Sequence, residues 1–163
     1  MTVQNNGKKN TQDKRISELD WQILRLLQKN SRSTLEELSS KLDTSKSTIH
    51  YRIKRLEEEG VLEGYYSKIN PSKLGLDFTA ILLIRAKFGP RYHEKVGEAL
   101  AQIPGVSVIY FLFGETDFLV VVRSRDRADF FEKIEKLYNM EEIERTNTVI
   151  VAKIIRDDPR LQI

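Results

Sequence analysis

Cysteine is absent from the 163 residues, which removes disulfides, thiolate nucleophiles and cysteine-bound zinc. Histidine is nearly absent: His50 and His93 are the only imidazoles, so neither a metal centre nor a metal cofactor is expected. No stretch approaches the roughly 20 consecutive apolar residues that a membrane span requires. The start is polar rather than a signal peptide. The expected setting is therefore cytoplasmic, with no membrane partner. A phosphate-cradling loop and a paired catalytic constellation are missing as well, so no catalytic residue is assigned and no enzyme activity is expected. What remains is ordinary for a soluble protein, 40% hydrophobic and 31% charged, at a length for one large or two small domains.

Charge is unevenly spread. Residues 1–60 carry 12 Lys or Arg against 9 Asp or Glu, whereas residues 61–163 carry 15 of each, so the whole net charge of +3 lies at the N-terminal end. Such confinement predicts attraction to a polyanion that weakens with salt. Within this region Thr34 and Glu37 form a capping box ahead of Leu35, Leu38 and Leu42. Asp43, Thr44 and Ser45 make a tight polar turn, and Ser45 is placed to cap a second helix running to about Gly60. Ile49, Ile53 and Leu56 form one apolar stripe on that helix. The other side offers Lys46, Ser47, Thr48, His50, Tyr51, Arg52, Lys54 and Arg55, with no acid between Thr44 and Leu56. These are donors for base edges and phosphates in a major groove, which makes double-stranded DNA the expected partner. Residues near the helix start are expected at bases, and Arg52, Lys54 and Arg55 at phosphates. Arg52 is equally placed to pair with an acid inside the domain.

A preceding helix over Ser17–Asn30, with Leu19, Ile23, Leu26 and Leu27 inward and Asp20 in its first turn, completes a three-helix unit. The expected organisation is a disordered tail over 1–15, a helix-turn-helix domain over 16–62, an extended linker over 63–76 and a second domain over 77–163. In that second domain the order is strand, helix, strand, strand, helix, strand. Strands are expected at Phe78–Lys87, Val106–Phe113, Phe118–Arg123 and Thr146–Ile155, and helices at Tyr92–Ile103 and Ala128–Leu137, the latter capped by Asp126. This is an α+β chain whose C-terminal domain is a ferredoxin-like βαββαβ sheet with both helices on one face. The strands are apolar on both faces: Ile81 and Leu83 oppose Leu82 and Ile84, and Leu119 and Val121 oppose Val120 and Val122. Two helices cover only one face, so a homodimer through the other is expected. It would bring two reading helices to one duplex.

In order along the chain, Leu19-Asp20 with Ile23-Leu24, Glu37-Leu38, Ser45, Arg52 through Leu62, Gly64-Tyr65, Leu74-Gly75 and Gly114 followed by Asp117 resemble the Lrp/AsnC, or feast/famine, family of transcription regulators. The resemblance covers nearly the whole sequence. It implies a winged or plain helix-turn-helix joined to a ferredoxin-like effector domain, dimers assembling into tetramers, octamers or larger, and an amino acid as effector. It further implies that Gly114 and Asp117 line an effector pocket, where amides meet a carboxylate and the aspartate meets an ammonium. Thr116, between them and in the same effector set, stands where many members have an aromatic residue. Thr146 and Thr148 match a threonine pair near the last strand and join the effector set. The alternative is an effector-independent architectural protein that coats DNA.

Overall fold

The computed structural model describes residues 16–163, and the tail expected over 1–15 lies outside them. The chain divides into two compact units, one of residues up to Lys68 together with Asp158–Ile163, the other Ile69–Asp157.

The first unit is built from α1 (Glu18–Lys29), α2 (Leu35–Leu42) and α3 (Lys46–Glu58). Each starts at a residue whose side chain satisfies an amide that the helix itself cannot. Thr34 and Glu37 exchange both capping-box bonds, at 3.1 and 3.2 Å, and the Thr48 amide donates to Ser45 Oγ at 3.2 Å. Asp43 ends α2 in the left-handed region, at φ 48°, which an Asx side chain tolerates. Ile23, Leu27, Leu38 and Ile49 form the buried centre, with Leu19, Leu26, Leu42, Ile53 and Leu62 packed around it. Beyond α3 the chain runs without a regular strand to a single 3-10 turn at Pro71–Leu74.

The second unit holds β1 (Phe78–Ala86), α4 (Tyr92–Ala101), β2 (Val106–Phe111), β3 (Phe118–Ser124), α5 (Arg127–Tyr138) and β4 (Ile143–Ile150). The sheet is antiparallel in the order β2-β3-β1-β4, the ferredoxin-like arrangement. One face buries Ala80, Leu82, Ile84, Phe118, Val120 and Val122 against Val96, Leu100, Phe130 and Ile134 of the helices. Asp126 caps α5 through the Asp129 amide, at 2.9 Å.

Two strands differ from expectation by more than one residue, and the pairing partner fixes the limits of both. β4 starts at Ile143, because a bulge between Arg85 and Ala86 places Ile143 opposite Ala86. It ends at Ile150 because β1 begins at Phe78, leaving only the bond from the Val151 amide to the Thr79 carbonyl beyond it. β2 stops at Phe111, since the Leu112 amide closes onto the Asp117 carbonyl at 2.7 Å and Phe113 swings out to 96% exposure.

On the face away from the helices, Ile81, Leu83, Leu119 and Val121 are half-buried, and Tyr110 and Val149 are exposed. These six residues share one face because Ile81 pairs with Val121 and Val149, while Leu119 pairs with Leu83 and Tyr110. Ionic residues, Arg85, Arg145 and Arg123, sit at the ends of that band, Arg85 opposite Arg145 and Arg123 opposite Thr79.

Candidate DNA interface and effector turn

The apolar stripe of α3 points inward, with Ile49 and Leu56 fully buried and Ile53 half-buried. The helix is thereby rotated so that Ser47, His50, Tyr51 and Lys54 are exposed, with Tyr51 at 66%. The hydroxyls of Ser47 and Thr48 lie 2.9 and 2.8 Å from that of Ser45, so the cap also orders the first turn of the exposed face. Lys46 pairs with Glu36 at 2.9 Å and Lys54 with Glu58 at 3.6 Å, all four side chains more than half exposed. Pairs of this kind in water hold weakly and exchange readily for another anion.

Arg52 takes the second of its two expected places, beside an acid inside the domain, and Arg55 joins it there instead of facing phosphate. Arg52 Nη1 donates to Asp20 Oδ1 at 3.2 Å and to Ser17 Oγ at 2.8 Å, and Arg55 Nη2 donates to Asp20 Oδ2 at 2.7 Å. Asp20 is completely buried. Burial pushes its carboxyl upward, but the Ser17 hydroxyl and amide and the Arg52 guanidinium outweigh that and hold it below the usual carboxylate range. The acid that the sequence offered as a partner for the α1 dipole is therefore the tie between α1 and α3. Its signal was the spacing from Ser17, three residues before it, which makes the pair a capping box.

Tyr65 was legible only as part of a motif. Its hydroxyl donates to Glu57 Oε1 at 2.8 Å and pins the segment after α3 to the end of that helix. Burial and the Glu57 carboxylate push this phenol up to about 12.

Gly114, Thr116 and Asp117 are brought together in the β2–β3 turn. Gly114 has φ 152°, near the edge of the region that favours glycine, with open space where a Cβ would stand. Asp117 is 4% exposed and its carboxylate faces inward: Oδ2 accepts from the Ala86 amide at 2.8 Å and Oδ1 from the Tyr92 hydroxyl at 3.3 Å. Burial and the Asp117 carboxylate raise the Tyr92 phenol above its ordinary range. Arg85, absent from the residues expected at the site, spans the turn. Its Nη1 donates to the Gly114 carbonyl at 2.8 Å and its Nε lies 3.6 Å from Asp117 Oδ2. Thr146 pairs with Ile84, whose carbonyl accepts from the Asp117 amide at 2.9 Å, so Thr146 is one strand away from the turn. Thr148 lies one pleat further, beside Leu82, and both threonines share the helix-facing side. The Thr146 hydroxyl is buried without a hydrogen-bond partner.

A separate cleft of about 780 Å³ lies between α4 and α5, lined by Lys95, Ile103, Lys133 and Met140 among others, and includes none of the candidate DNA- or effector-binding residues. Its buried Asp129 carboxylate is paired with the exposed Arg125 at 2.9 Å and with the largely buried Lys133 at 2.7 Å.

Comparison with known proteins follows the same division. Residues 16–63 match the profile of the winged helix-turn-helix DNA-binding family, and residues 79–161 that of the Lrp/AsnC ligand binding domain. An HTH-type transcriptional regulator of Pyrococcus furiosus, itself uncharacterised, is 35% identical over 90% of this chain and 98% of its own length. Among solved structures, a transcriptional regulator of Neisseria meningitidis in complex with L-Met superposes with a TM-score of 0.83 at 26% identity, covering 90% of this chain and 96% of that one. A feast or famine regulatory protein of M. tuberculosis, complexed with L-methionine, gives a TM-score of 0.79 at 25% identity, covering 90% and 99%.

Proposed function

The chain belongs to the Lrp/AsnC family of DNA-binding transcription regulators, and on that footing we propose that an amino acid, bound at the β2–β3 turn, sets how copies of it assemble on DNA. The observation that carries the reading is the pairing, in one chain, of an α3 face bearing Ser47, His50, Tyr51 and Lys54 with a turn whose cation, Arg85, borders exposed backbone. Ser47, His50 and Tyr51 address base edges near the start of α3, while Lys46 and Lys54 trade Glu36 and Glu58 for phosphates.

At the turn, the inward aim of Asp117 shifts the ligand contacts. The Asp117 carboxylate holds β1 and α4 in place, and the Gly114 to Thr116 backbone with the Arg85 guanidinium receives the effector carboxylate. The L-Met complexes of the Neisseria and M. tuberculosis regulators favour an amino acid in this role.

Copies meet through the apolar band of Ile81, Leu83, Leu119 and Val121, on the sheet face away from α4 and α5, giving a homodimer that builds into larger particles. Arg85 stands at the end of this band and also reaches the Gly114 carbonyl, so a ligand that draws on Arg85 acts on the rim of the interface. Only a ligand that binds two assemblies unequally shifts their balance.

The test is a gel-shift titration on DNA upstream of the protein's own coding region, with and without a pool of amino acids, alongside sedimentation. A discrete shift whose mobility changes with the pool, together with a changed sedimenting species, is expected. A discrete shift and a sedimenting species both indifferent to every amino acid would remove the effector from the reading. A smear matched by random DNA would favour an architectural role. Tyr51→Ala and Lys54→Ala should weaken the shift and leave sedimentation unchanged.

A further inference from the structure

We propose that Asp20 is a positioning residue of the reading helix, which holds Arg52 and Arg55 away from DNA so that they orient α3 instead of gripping phosphate; this rests on the DNA reading above. The two arginines are three residues apart and so lie on one side of α3. A single fully buried carboxylate receives both, Oδ1 at 3.2 Å and Oδ2 at 2.7 Å, with the Ser17 hydroxyl bridging to Arg52 at 2.8 Å. Two anchor points on one side of a helix fix its rotation about its own axis, which a single point would not. The same rotation decides that Ser47, Tyr51 and Lys54 face outward.

The arginines are held too deeply to exchange. Their side chains are only 27% and 30% exposed, and Arg55 Nε is buried without a hydrogen-bond partner, 3.9 Å from Glu59 Oε1. Lys46 and Lys54, by contrast, are 56% and 65% exposed. Moving either guanidinium to a phosphate would leave Asp20 buried and short of a partner, a larger penalty than an exposed phosphate contact returns. The helix therefore carries two kinds of cation. Arg52 and Arg55 are spent on α1, and the lysines remain for the polyanion.

Counterion release makes this measurable, because each phosphate contact adds about 0.9 to the slope of log K against log salt. The assay is fluorescence anisotropy of the full chain on a mixed-sequence duplex between about 50 and 200 mM salt, with circular dichroism confirming each fold. The triple variant Asp20→Asn, Arg52→Gln, Arg55→Gln removes all three charges while keeping a polar side chain at each position, and its slope should equal that of the unaltered chain. Asp20→Asn alone frees both guanidiniums and should steepen the slope by about 0.9 to 1.8.

A triple variant shallower by about 1.8 would overturn the proposal, since the arginines would already be on phosphate. A folded Asp20→Asn chain with an unchanged slope would overturn it equally. If Asp20→Asn does not fold, the triple variant decides alone. Lys54→Ala serves as the control, expected to be shallower by about 0.9. If it too matches the unaltered chain, α3 is not the DNA face, and the reading beneath the proposal fails rather than the role of Asp20 alone.

Discussion

Replacing Asp117 by alanine separates its structural work from any contact with a ligand. The carboxylate is 4% exposed, and its loss leaves the Ala86 amide, now 2.8 Å from Oδ2, buried with no acceptor. An orphaned buried donor costs about 1–3 kcal/mol. Arg85 loses a charge 3.6 Å away, but at 31% exposure water screens most of that term. The Tyr92 hydroxyl loses a long bond of 3.3 Å, which adds little. A total of about 2–3 kcal/mol is expected, and for a unit of this size each kcal/mol lowers the melting temperature by roughly 4–8 °C. Asp117→Asn keeps an oxygen for the Ala86 amide and should cost less than about 1 kcal/mol. The measurement is thermal unfolding by circular dichroism at matched protein concentration, since oligomers melt in a concentration-dependent way. The alanine variant should melt about 10 °C or more below the parent, with asparagine close to it. Equal melting of all three proteins would refute the inward role. An alanine variant that keeps its melting temperature yet loses any amino-acid response would return the carboxylate to the ligand.

Gly105 has φ 86°, and a Cβ there would stand 2.3 Å from the Arg123 carbonyl oxygen, a backbone atom that also belongs to the β3 ladder. Gly105→Ala should therefore cost well over the roughly 1–2 kcal/mol of the left-handed conformation alone, whereas Gly60→Ala, at φ 69° with open space, should cost only that; equal losses in denaturant melts would disprove the close approach. Acid should act through Asp129, whose carboxyl is held well below the usual range by hydrogen bonds from the Arg125 and Lys133 side chains and the Arg125 amide. A depressed folded pKa contributes stability that is present above the unfolded value and is lost as pH falls through the folded one, so melting temperature should hold near neutrality and drop below about pH 4. Asp129→Asn should flatten that drop, and an undiminished acid slope in the variant would assign it to other carboxylates.

Features set by nearby residues were legible in the sequence. The Thr34–Glu37 box, the Ser45 cap and the Asp126 cap each involve groups within three residues, so chain geometry brings them together whatever the rest does. The inward stripe of α3 was legible for the same reason, since Ile49, Ile53 and Leu56 follow the helical period. Strand ends were not, because they belong to the partner: β4 begins and ends where β1 offers pairing groups, and a bulge at Arg85 displaced its start.

The site residues divide along the same line. A helical wheel places Arg52 and Arg55 on one side of α3 but says nothing of what crosses it there, and Asp20 arrives from 32 and 35 positions away. Asp117 was expected at a ligand because of its place beside Gly114 and Thr116. Its function is written by residues 31 and 25 positions distant, the Ala86 amide and the Tyr92 hydroxyl. In both cases the acid was visible and its partner was not, and the partner decides whether a charge faces a ligand or holds the scaffold. Isolated acids in apolar segments with a basic residue on a neighbouring element are thus ambiguous in sequence for a physical reason. Burial raises the penalty of leaving them unpaired, so the fold supplies a partner before any ligand can compete for them.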